Sequence, residues 1–149
     1  MITEKRRIGN YGERLTAGYL RRHGYRVLCK NYATRLGEID IVALKGHMLC
    51  FVEVKTRKEH PLADQVLTVP PKKQSRIIKA AFSYLNYCRR ETKNKSAIWC
   101  LFHHFPTDFE HCFLRFDIAK VYLNNGKLSR INYIKDAFTT DYKNAPYLF

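Results

Sequence analysis

The sequence predicts an α/β fold, a mixed β-sheet flanked by α-helices. Three observations carry that expectation. Helix-length amphipathic segments are separated by short runs rich in Ile, Val, Leu and Phe. The segments come in the order helix, three strands, helix, then further strands, which suits a sheet covered by helices. The 149 residues show no repeat, low-complexity tract or domain-sized shift in composition, so the chain reads as one domain, 1–149. With 46% hydrophobic residues, a chain of this length buries roughly 70% of its unfolded surface, enough for a core without staples.

Taken in order, residues 12–24, "GERLTAGYLRRHG", predict the first helix, with Leu15 and Tyr19, joined by Ala17 and Leu20, as its apolar stripe. Gly24 suits the position just past a helix end. Tyr25 to Cys29 predict the first strand, and residues 37–55, "GEIDIVALKGHMLCFVEVK", hold two more around "KGHM". "TRKEHPLADQVLTVPP" reads as a loop, or a loop with a short strand over Gln65 to Val69. Pro70 and Pro71 open a second helix, where a missing N–H costs nothing. Its stripe is Ile77, Ile78, Ala81, Phe82 and Leu85, and "ETKNKS" ends it. "AIWCLFHHF" is too short to assign to strand or helix by period. "FLRFDIAKVYL" and "KLSRINYIKDAF" predict strands joined by "NNG", a strong hairpin signal. The tail "TTDYKNAPYLF" reads as irregular.

The hairpin around "KGHM" can be read residue by residue. Gly46 and His47 as the two turn residues suit type II′, which asks for glycine at its first central position. Lys45 then faces Met48, Asp40 falls opposite Glu53, and Glu38 opposite Lys55. Side chains alternate between faces. One face carries Ile39, Ile41, Ala43, Cys50, Val52 and Val54, and should pack on a helix. The other carries Val42, Leu44, Leu49 and Phe51 near the turn, and Glu38, Asp40, Glu53 and Lys55 at its open end. Two carboxylates directly opposite each other repel by roughly 3 kcal/mol at ~5 Å and an effective dielectric of ~20. A hard divalent cation would remove the conflict: Mg²⁺ takes one or two carboxylates and keeps its other positions for water and phosphate. Lys55 projects from the same face as Glu53, where it can stabilise charge on a phosphoryl oxygen or help deprotonate the attacking water. The plain alternative is a cross-strand ion pair between Glu38 and Lys55, with Asp40 exposed at a strand end.

Charge points to the partner. Lys and Arg number 27 against 13 acids, a net +14, and such an excess favours polyanions, nucleic acid first. An anionic membrane is second, but no long basic amphipathic helix is present. No apolar run approaches the ~18 residues of a membrane span. "MITEKRRIGN" is basic but no apolar segment follows it, so a cytoplasmic protein is expected. The five cysteines, Cys29, Cys50, Cys88, Cys100 and Cys112, are odd in number and form no CxxC pair. They read as reduced thiols packed as small apolar side chains.

An Asp on one strand followed by Glu-x-Lys on the next, here Asp40 and Glu53-Val54-Lys55, resembles the PD-(D/E)xK nuclease signature. The chain more specifically resembles the YraN-like family of predicted endonucleases, related to archaeal Holliday-junction resolvases. The matching stretches, in order over residues 9–138, are "GERLTAGYLRRHGYRVLCKN", "GEIDIVAL", "FVEVKTR", "VPPKKQSRIIKAAFSYL", "RFDIA" and "IKDAF". The resemblance implies a restriction-endonuclease-like core and hydrolysis of phosphodiester bonds in nucleic acid, with DNA, including branched or repair intermediates, as the expected substrate. It implies Mg²⁺ as cofactor, with Mn²⁺ able to substitute, and, by kinship with resolvases, a homodimer. Asp40 and Glu53 would be metal ligands, Lys55 the catalytic lysine, and Glu13 a further acid joining the metal site directly or through water. Glu13 is otherwise an ordinary helix acid favoured near an N-terminus by the dipole. Glu38 would orient Lys55. Lys73, Gln74 and Arg76 would touch the nucleic-acid backbone, or form a solvated helix face. Two departures stand out. Ile39 replaces the usual proline before the catalytic Asp. Residues 97–113 run longer than the pattern and hold Cys100, His103, His104, His111 and Cys112, a set ill suited to zinc because two of its members are adjacent. The alternative to an enzyme is a non-cleaving nucleic-acid-binding module of the same fold.

Overall fold

The computed structural model describes residues 3–60, 68–106 and 111–140. Helix α1 (Glu4–Arg22) precedes strands β1 (Arg26–Ala33), β2 (Glu38–Lys45) and β3 (Met48–Lys58). Helices α2 (Pro71–Thr92) and α3 (Ala97–Phe102) follow, then strands β4 (Phe113–Asn124) and β5 (Lys127–Phe138). The strands form one mixed sheet in the order β1-β2-β3-β4-β5, antiparallel except for the parallel β3–β4 pair. A parallel pair needs a long crossover, and α2 and α3 supply it. This is the expected α/β fold, compatible with a restriction-endonuclease-like core. No helix among the described residues is long and apolar enough to cross a membrane.

The helices cover opposite faces of the sheet. Ala17 and Leu20 of α1 pack with Ile41, Ala43, Cys50, Val52 and Ala119. Ile77, Ala80, Ala81, Tyr84 and Cys88 of α2 pack with Val42, Leu49, Phe51, Phe116 and Ile118. The alternation expected along the hairpin therefore holds from Ile41 to Val54, and it fails at Ile39. Ile39 buries on the α2 side with Val42 rather than on the α1 side with Ile41. The partner strand is irregular at the same place. Asn31, between the register pairs Lys30–Ile41 and Tyr32–Ile39, has a left-handed φ of 53°. A residue in that conformation interrupts the regular strand geometry, and it lies beside Asp40, where the alternation of β2 changes.

Helix α1 begins eight residues before the expected Gly12, capped by Thr3, whose Oγ1 accepts the Arg6 N–H. Its buried face is Gly12, Thr16, Ala17 and Leu20, so Ala17 and Leu20 of the expected stripe are buried while Leu15 and Tyr19 are only half-buried. The helix lies too close to the sheet for large side chains: a Cβ on Gly12 would sit 1.8 Å from Thr56 Oγ1. Gly24 takes φ +81°, as its place past the helix end requires. β1 extends beyond the expected Cys29 to Ala33. Pro71 opens α2 as expected, but the buried face turns toward Ala80, Tyr84 and Cys88, leaving Ile78, Phe82 and Leu85 half-buried. Residues 97–102 are helical, and "NNG" joins β4 to β5. The expected strand over Gln65 to Val69 falls largely outside the described residues, as does most of the tail.

Candidate active site

The site forms where β2 and β3 part. Their ladder runs from Lys45–Met48 to Ile41–Val52 in the expected register. Gly46 has φ +58° and His47 no positive φ, as a type II′ turn requires. The next pair in that register is Asp40 and Glu53, but the ladder ends one step short of it. Asp40 uses its side chain instead, and Oδ2 accepts the Val54 N–H at 2.7 Å. A carboxylate thus replaces a strand carbonyl, and the strands open into a fork.

Glu53 is 2% exposed. An ionised carboxylate so deeply buried needs compensating charge, and two lysines provide it on one oxygen. Lys55 Nζ lies 3.0 Å from Glu53 Oε1. Lys73, in the first turn of α2, makes an ion pair with the same Oε1. Oε2 is buried and has no hydrogen-bond partner among the described residues. Burial, then the charge of Glu53 and a smaller push from Glu13, raises the Asp40 carboxyl to about 7, against the stabilising Val54 N–H and the Lys73 charge. Lys73 titrates above its usual value: its own burial works against the charge, but the hydrogen bond and attraction to Glu53, helped by Asp40, outweigh it.

Two close approaches set these groups in place. The Gly12–Thr56 contact seats α1 against β3 and brings Glu13, the next residue, to the fork. Gly37 does the same for α2: a Cβ there would meet the Arg76 carbonyl oxygen at 2.3 Å. Gln74 Nε2 donates to the Val69 carbonyl at 2.8 Å, tying the chain entering α2 to its first turn.

Glu13, Glu38, Asp40, Glu53, Lys55 and Lys73 all line one open groove of about 1590 Å³ that runs from the fork along the N-terminal half of α1. Lys5, Arg6, Arg14, Lys30, Arg57 and Lys58 line its walls. Glu38 is exposed, and its expected pairing with Lys55 is replaced by the Glu53–Lys55 pair. Gln74 acts as a local tie, while Arg76 is exposed and lines an adjoining smaller groove with Lys72 and Glu38. Among the described residues no group of three or more His, Cys, Asp or Glu is disposed to hold a metal ion. Asp40 and Glu53 are therefore a two-carboxylate pair, with Glu13 nearby. In the 97–113 segment, Cys100 is buried in the α2-side core and His103 stacks on Trp99.

Two features escaped the sequence reading. One is Lys73 as a partner of Glu53, which only the docking of α2 on the fork creates. The other is Asp117, fully buried in β4. It accepts from Arg115, from Tyr133 Oη at 2.6 Å and from the Asp136 N–H at 2.9 Å. An acid two residues from an arginine inside an apolar strand was the available signal. Its partners make it a structural brace between β4 and β5.

The chain is similar to known proteins along most of its length. The chain is 37% identical over 140 residues to a UPF0102 protein of Chlorobium phaeobacteroides, covering 93% of this chain and 95% of the relative. It is 38% identical over 141 residues to one of Syntrophus aciditrophicus, covering 95% of each. A shorter match to a UPF0102 protein of Chlorobium limicola is 51% identical over 78 residues, 52% of this chain and 60% of the relative. The family model described as "Uncharacterised protein family UPF0102" matches residues 12–121, from the glycine that seats α1 through most of β4. The chain belongs to the UPF0102 family.

Proposed function

We propose that the protein is a Mg²⁺-dependent endonuclease of the PD-(D/E)xK type, acting on DNA. The observation that carries this reading is the fork itself. Asp40 and the buried Glu53 meet where the ladder stops, Lys55 contacts Glu53, and a cationic groove leads to them. The residue set fits a hard divalent cation. Mg²⁺ typically takes only one or two protein carboxylates. Glu53 Oε2 is buried without a partner, and Asp40 is raised toward neutrality by burial and by neighbouring acids. Asp40 and Glu53 would hold the ion, with Glu13 joining through water. The ion would supply Lewis-acid stabilisation of charge on the phosphoryl group.

The chain's own groups supply the rest. Lysines and arginines along the groove hold the phosphate backbone and position the scissile bond. Lys55, fixed beside Glu53, places a positive charge where a phosphoryl oxygen gains negative charge, and can take part in proton removal from the attacking water. Asp40 is held by the Val54 N–H, so its carboxylate presents a fixed geometry.

One observation favours a second reading, a non-cleaving nucleic-acid-binding module. Lys55 and Lys73 already compensate Glu53, so the fold does not need a cation to tolerate its buried acid. The test is a cleavage panel of duplex, single-stranded, flapped and four-way DNA, with RNA counterparts, in Mg²⁺ or Mn²⁺. Metal-dependent cleavage of any DNA member supports the enzyme. Binding across the panel with no cleavage in either metal supports the module.

A further inference from the structure

We infer that Lys73 is a built-in counter-ion for the site: it holds Glu53 while the metal is absent, gives it up when a divalent cation binds, and is then available to substrate phosphate. This rests on the proposal that Asp40 and Glu53 take a divalent cation. Three observations support it. Lys73 and Lys55 both reach the same oxygen of one buried carboxylate, leaving the other oxygen without a partner. The two lysines reach it by different routes. Lys55 stands on β3, two residues from Glu53, whereas Lys73 comes from a separate element. That element is held at the fork by the close approach of Gly37 to Arg76. Lys73 is also the more solvent-accessible of the two, 35% against 20% for the side chains. It can therefore swing into the groove it lines without unfolding anything.

An ammonium and a divalent cation compete for one carboxylate by plain electrostatics. Removing the ammonium should leave the acids without enough positive charge, loosening the metal-free fold and strengthening the metal's hold. Lys73→Met keeps the length of the stem and removes the charge. Lys73→Arg keeps the charge. The measurement is binding of Mn²⁺ alone to the whole chain, read by electron paramagnetic resonance of free Mn²⁺, with thermal unfolding in chelator and in saturating Mn²⁺. The expected result for Lys73→Met is Mn²⁺ affinity at least about fivefold tighter than wild type. A Tm about 3–6 °C lower in chelator should be restored by saturating Mn²⁺. Lys73→Arg should stay near wild type in both. Should Lys73→Met fail to fold in chelator, its Mn²⁺ affinity is measured on protein purified with Mn²⁺ and exchanged by dilution. Unchanged or weaker Mn²⁺ binding by Lys73→Met, with wild type binding normally, overturns the counter-ion role alone. No Mn²⁺ binding by wild type overturns the metal reading beneath it as well.

Discussion

Asp40 is the residue whose environment most constrains the chemistry. Burial and two neighbouring acids push its carboxyl up to about 7. The folded chain therefore holds that proton to a higher pH than the unfolded chain, whose Asp titrates near ~3.9. The stability linked to this group is fully present below the unfolded value and is lost as pH rises toward 7. In metal-free protein, Asp40→Asn should remove that loss, because an amide oxygen can still accept the Val54 N–H and carries no charge. Unfolding in urea with chelator should show Asp40→Asn more stable than wild type at pH 7 and nearly equal to it at pH 4. A variant that is less stable at pH 7 would mean that the carboxylate is compensated rather than strained. Much of this residue-scale picture was legible beforehand. The turn at Gly46 fixed the count that sets Asp40 against Glu53, and the acids stood out in runs that otherwise want to be apolar. Lys73 was named for backbone contact, but its place on Glu53 could not be read, because it depends on how α2 meets the fork.

Two glycines hold the elements in place around the fork. Gly12 lets α1 approach β3, and Gly37 lets the start of β2 approach the first turns of α2. They differ in what a side chain would meet. At Gly37 it is backbone, the Arg76 carbonyl, which cannot move aside; at Gly12 it is the side chain of Thr56. Gly12→Ala should therefore cost about 1–3 kcal/mol through overpacking. Thr56→Ala in the same chain should recover part of that, a coupling of about 0.5–3 kcal/mol in a double-mutant cycle followed by denaturant unfolding. Strict additivity would place the strain elsewhere. The close approach also explains what was misread at this scale. Of the expected stripe Ala17 and Leu20 are buried, but Leu15 and Tyr19 give way to Gly12 and Thr16, because helix-to-sheet distance decides which residues fit. Likewise Ile39 changes side beside Asn31, which takes a left-handed φ on the neighbouring strand. Alternation within β2 contains no trace of that.

For the whole molecule, the net charge of +14 and the groove that gathers many of the lysines and arginines give a common direction to binding. Duplex DNA affinity should fall steeply with salt, with a log–log slope near 0.9 per phosphate contacted. Fluorescence anisotropy from about 50 to 200 mM salt measures it, and a flat response would argue against phosphate recognition. The helix-flanked mixed sheet and its β2–β3 and β4–β5 hairpins follow from element order and turn signals that the sequence carries openly, whereas the parallel β3–β4 pairing that completes the strand order does not. The groove does not, since α1 reaches back to Glu4 and lays Lys5 and Arg6 along the site only once the chain is folded. The most direct test of catalysis at the fork compares Mg²⁺-dependent cleavage by wild type, Asp40→Asn and Lys55→Ala, with DNA affinity measured on the same preparations. A catalytic fork requires both variants to lose cleavage by at least about 10²-fold while most affinity survives. Cleavage that persists unchanged in both variants would contradict it.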